Sequence, residues 1–149
     1  MEKRKIALLV SLIIFGFSLY LLVTGSSILL LSLSDSSYIP LGTFTTWFGM
    51  IALPLLFYFS IRGFREPQTT IEKVFALLLK ILIILAVLWM PISYLLAGNL
   101  SNTFTEKAEF QGGQLAMKIF WYFSYSVVAA PLILILFYGI FTMIRRKIK

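Results

Sequence analysis

The chain has 149 residues, is 60% hydrophobic and carries a net charge of +7, with no Cys and no His. Those two absences exclude disulfide exchange, thiolate nucleophiles, imidazole bases and the usual zinc, haem or iron–sulfur ligand sets. The basic residues cluster at the ends of apolar runs instead of alternating with exposed aromatics, which argues against nucleic acid as a partner and for anchoring at a membrane surface.

Residues 6–34, 36–61, 81–105 and 119–144 contain no Asp, Glu, Lys or Arg. A helix crosses bilayer hydrocarbon with roughly 20 apolar residues. The chain therefore has length for four crossings and none for a separate soluble domain. The predicted fold is all-α: one membrane domain over residues 1–149, a bundle of four transmembrane helices in contact with the lipid bilayer.

Span one follows Lys3, Arg4 and Lys5 and covers 6–23, or 6–33 if the helix continues through Gly25-Ser26-Ser27. Its basic start resembles a signal peptide, but a cleavable apolar core is about 7–15 residues long. The 18 residues of 6–23 read as a retained anchor. Asp35-Ser36-Ser37 and Pro40-Leu41-Gly42 then make a turn-rich loop. Span two covers 44–61 and stops at Arg62-Gly63-Phe64-Arg65-Glu66-Pro67. Span three covers 74–97. A polar loop follows, and span four covers 117–144 before Arg145-Arg146-Lys147. No internal repeat relates the two halves.

Orientation follows from the cations. The N-terminal tail, the 62–73 loop and the C-terminal tail hold Lys3, Arg4, Lys5, Arg62, Arg65, Lys73, Arg145, Arg146, Lys147 and Lys149. The other two loops hold only Lys107 and Lys118. The positive-inside rule then predicts both termini in the cytoplasm, with the 24–43 and 98–117 loops outside. Trp47, Tyr94, Trp121 and Tyr122 fall near the outer ends of their spans, where amphipathic rings prefer the interface. Trp89 falls near mid-membrane and is expected to pack between helices.

Lys80 is the one charge well inside a span, Lys118 standing at the outer edge of span four. It lies about 10 Å beyond Lys73 at 1.5 Å per residue, a depth from which a Lys side chain bends its ammonium back to the headgroups. The functional alternative is a partner carboxylate or a bound anionic lipid. No carboxylate enters a span, which argues against a proton- or cation-coupled transporter. No Ser or Thr sits beside a general base, so no catalytic site is expected. No metal site or cofactor is expected either. Pro54, Pro91 and Pro131 lie within spans and read as kinks.

Small residues recur at helical spacing: Ser11, Ser18 and Gly25; Thr45, Gly49 and Ala52; Ala86, Ser93 and Ala97; Ser126 and Ala130. In lipid such stripes let helix backbones approach, within one chain or at a homo-oligomer seam. Asn99-Leu100-Ser101 matches a glycosylation acceptor, a pattern too short to carry weight.

With its basic start Lys3-Arg4-Lys5, basic 62–73 loop, basic end Arg145-Arg146-Lys147 and two outward loops, the chain resembles the four-span immunity proteins of pore-forming bacteriocins. The likeness is one of architecture and size, without a shared motif. It implies a bacterial inner-membrane protein that intercepts a membrane-targeting toxin. Asp35, Tyr38, Glu106 and Glu109 on the outward loops are then the expected partner-binding residues. The alternatives are an accessory or scaffold subunit of a membrane transport or secretion complex, and a small oligomeric transporter or channel.

Overall fold

The computed structural model describes residues 2–32, 39–100, 110 and 112–148, with side chains through Arg145. Its elements are α1 (Glu2–Thr24), a 3-10 turn (Ser27–Leu30), α2 (Leu41–Ser60), the short α3 (Arg62–Arg65), α4 (Thr70–Ala97) and α5 (Gly113–Ile148). Four of these, α1, α2, α4 and α5, are long and apolar enough to cross a membrane. Among the described residues there is no strand; one isolated bridge joins Ser32 to Pro40. The partner-binding candidates Asp35, Tyr38, Glu106 and Glu109 lie outside the described residues.

Helix α1 ends because Gly25 adopts φ +59°, where a side chain would be strained. Two bonds close the terminus: Gly25 N–H donates to the Leu22 carbonyl and Ser26 N–H to the Leu21 carbonyl, a Schellman arrangement. Residues 28–32 therefore do not extend the helix. They turn back onto α2, burying Leu29, and the Leu41 N–H donates to the Leu31 carbonyl at 2.8 Å. Gly98 (φ +72°) ends α4 similarly, donating its N–H to Tyr94.

The helices run up and down. Helix α2 is central: it packs on α1 along one side and on α4 and α5 along the other, while α4 and α5 pack on each other. Helix α1 packs on α2 and on the turn that follows it, not on α4 or α5. The small-residue stripes explain the close seams. Ser11 and Ser18 of α1 are buried, as are Thr45, Gly49 and Ala52 of α2 and Ala86, Ser93 and Ala97 of α4. Ser126 differs: it is exposed on α5 and its hydroxyl donates to the Tyr122 carbonyl. Gly25 is spent on the terminus, not on packing.

Two core clusters stack along the bundle. One, at the end carrying α3, the start of α1 and the end of α5 (the basic end), is built from Phe64, Ala76, Leu79, Leu134 and Tyr138. The other is built from Ala86, Trp89, Phe120 and Val127. Trp89 packs between α4 and α5, 3% exposed, and its indole N–H donates to Ser124 Oγ at 2.8 Å. Pro91 has no N–H to offer the Val87 carbonyl one turn earlier. Trp47 of α2 fills that vacancy, its indole N–H reaching the Val87 oxygen at 3.1 Å. The ring expected at the interface thus bridges two helices.

At Gly49 an added Cβ would stand 2.9 Å from the Ser18 Cβ. Gly49→Ala is expected to push α1 off α2 and to lower stability by about 1–3 kcal/mol. Thermal unfolding in detergent checks this; a melting temperature equal to wild type would mean that α1 and α2 do not meet at Gly49.

Candidate functional site

Polar side chains gather at the basic end, where α3 fits against α2 and α4. Its foundation is local sequence. Thr69-Thr70-Ile71-Glu72 is a capping box: the Glu72 N–H donates to Thr69 Oγ1 at 3.2 Å, and Glu72 Oε2 accepts the Thr69 N–H at 3.1 Å. The same oxygen accepts the Gln68 N–H at 2.7 Å. The other carboxylate oxygen, Oε1, accepts from Arg145 Nη1 at 2.6 Å, across from the last turns of α5.

The Glu72 side chain is 9% exposed and that of Arg145 39%. A carboxylate this buried costs free energy unless its lone pairs are taken up. Here two backbone donors and a guanidinium take them up, and the charge also complements the N-terminal dipole of α4. The pair fixes the start of α4 to the end of α5, joining residues 73 positions apart.

Beside it, α3 plugs the bundle. Phe64 is 1% exposed and its ring centroid lies 4.6 Å from that of Tyr138. Phe75 meets Tyr138 edge-on at 5.5 Å. The Tyr138 hydroxyl lies against Gly63, so close that a methyl group there would overlap it. A groove of about 320 Å³ opens over these residues, lined by Arg62, Gly63, Glu66, Gln68, Glu72 and Tyr138. Arg62 Nε donates to Glu66 Oε2 at 2.8 Å, but both side chains are well exposed, at 80% and 51%.

Chemically the groove holds the Arg62–Glu66 pair and the carboxylate of Glu72, whose partner Arg145 is not among the lining residues. Among the described residues no group of three His, Cys, Asp or Glu could hold a metal ion. The arrangement can bind and brace. Glu72 and Arg145 were not singled out as site residues from sequence, although the T-x-x-E pattern ahead of an apolar run signals the capping box. Their pairing had no local signal. Lys80 is exposed on α4 and belongs to no ion pair among the described residues.

No family model, curated protein or solved structure matches the chain.

Two ion pairs of similar geometry should differ in value. A double-mutant cycle on Glu72→Gln and Arg145→Gln is expected to give a coupling of about 1–3 kcal/mol in detergent unfolding. The same cycle on Arg62 and Glu66 should give about 0.5 kcal/mol or less, since exposed i,i+4 pairs contribute little. Equal couplings would contradict the buried position of Glu72. Gly63→Ala should cost about 1–3 kcal/mol by crowding Tyr138, read as a lower melting temperature.

Proposed function

We propose that this chain is a non-enzymatic integral protein of the bacterial inner membrane, with both termini cytoplasmic, that acts by binding a protein partner in or on the membrane. The specific reading is an immunity-type protein that neutralises a membrane-targeting toxin. The orientation rests on the ten-to-two distribution of Lys and Arg between the two sides.

The observation that supports partner binding is the attachment of α1. An exposed apolar face is no signal by itself in lipid, where tails are as apolar as Leu. Helix α1 stands apart because, among the described residues, it packs only on α2 and the turn that follows it, through a seam in which α1 itself buries Ser11, Ser18 and Leu21. Grooves of about 180 Å³ and 300 Å³ flank that seam. The smaller is floored by Gly49 and lined by Thr46, whose buried hydroxyl has no hydrogen-bond partner among the described residues. A helix entering beside α1 would find a shallow apolar floor.

Polar groups elsewhere support the same reading. Trp89 with Ser124, Thr43 with the Leu100 carbonyl and Glu72 with Arg145 are engaged with one another. Activity then resides in surfaces, with binding free energy spread over the outward loops and helix faces.

Reporter fusions after Lys149 and within 62–73 should read cytoplasmic, and fusions within 98–117 external. An external C-terminus would overturn the orientation. Expression should protect cells against a membrane-targeting toxin encoded alongside the protein. Exchange of loops 24–43 and 98–117 with those of another four-span protein should change which toxin is neutralised without loss of insertion. Absence of protection against any such toxin would favour the accessory-subunit reading, tested by co-purification with the subunits of a membrane complex.

A further inference from the structure

Lys73, Lys80 and Val87 recur every seven residues on α4 and so share one flank of that helix. On this flank the Val87 carbonyl takes the Trp47 indole of α2. The other flank, with Phe75 and Trp89, meets Tyr138, Phe141 and Ser124 of α5. Both lysines are exposed.

Two of the acidic side chains described at this end, Glu66 and Glu72, are already engaged. Glu66 holds Arg62 and Glu72 holds Arg145. Glu2 stands on α1, which packs on α2 and not on α4. Lys80 therefore has no internal counter-charge among the described residues, at a depth where an unpaired cation is costly. A separate observation comes from α3, which packs on both α2 and α4. There the Nε of Arg65 is buried and has no hydrogen-bond partner among the described residues. Buried donors ordinarily have one.

We propose that the α2–α3–α4 edge at the basic end holds one anionic phospholipid, its phosphate taken between Lys73 and Lys80 with Arg65 as a further donor. The acyl chains run over the exposed Leu77, Ile81 and Ile84 of α4. Charge complementarity selects the occupant. A carboxylate buried on a partner helix would meet Lys80 but leave Lys73 at the surface. A phosphate at headgroup depth meets Lys73 directly and Lys80 through its upward-bent side chain. A cationic edge without a free carboxylate favours a net-negative headgroup over a zwitterionic one.

The inference rests on the membrane reading above, and carbonate extraction tests that reading separately: the protein should stay in the membrane pellet. Given that it does, detergent-purified full-length protein is titrated with dioleoylphosphatidylglycerol or dioleoylphosphatidylcholine and examined by native mass spectrometry and thermal unfolding. The expected result is one tightly retained phosphatidylglycerol per chain and a higher melting temperature than with phosphatidylcholine. Lys80→Gln should weaken retention roughly tenfold, as loss of one charged hydrogen bond implies. Arg65→Gln should weaken it in the same direction, and both variants should melt as wild type does in phosphatidylcholine. Equal effects of the two lipids, or unchanged retention in Lys80→Gln, would overturn the proposal. A co-purifying polypeptide lost in Lys80→Gln would overturn it in favour of a partner helix carrying an intramembrane carboxylate.

Discussion

A hydrogen-bonding group that enters hydrocarbon has no water to turn to, so it must be satisfied by the protein itself. Much of this structure follows from that constraint. Ser11, Thr24, Ser60, Ser126 and Thr142 return their hydroxyl protons to carbonyls one turn earlier on their own helices. Pro91 breaks the ladder at Val87, and α2 supplies Trp47 to close it. The result is a tertiary contact created by a local defect. Between α4 and α5, Trp89 and Ser124 pair side chain to side chain, giving an apolar seam a directional contact.

The two ends of the bundle are organised differently. At the basic end, a capping box holds a carboxylate in place and the last turns of α5 bring Arg145 to it. Tyr138 packs over Gly63, and Phe64 closes the space between α4 and α5. Toward the opposite end, Thr43 donates to the Leu100 carbonyl at 2.7 Å and so ties the start of α2 to the segment after α4. Among the described residues helix α1 has no comparable polar tie to α2. Its seam depends on small residues and close backbone approach, in which dispersion is the main attraction. That difference makes α1 the helix whose separation from α2 breaks no ion pair among the described residues.

Much of the architecture was legible in the sequence. The charge-free runs located four apolar helices, and Gly98 opened the polar loop after the third, whereas the end of the first at Gly25 was left open between 23 and 33. The stripes through Ser18, Gly49 and Ser93 marked packed faces because only small side chains permit close contact. Trp89, placed by depth alone, had to pack between helices. The candidate site was less legible. Thr69-x-x-Glu72 announces a helix start, but nothing near Arg145 says that its partner lies 73 residues earlier. Ser126 and Ala130 share the spacing of the packed stripes, yet Ser126 is exposed. Spacing defines a face without saying which face is inward.

By itself, then, the sequence determined the number of helices long and apolar enough to cross a membrane and the lack of any thiol or imidazole side chain, because these depend on residue type and run length. Tertiary structure decided which helix is peripheral, which carbonyl Trp47 serves and which carboxylate Arg145 neutralises. Each of those is a contact between residues distant in the chain. Its free energy depends on the rotation and register of whole helices, which a local pattern does not encode.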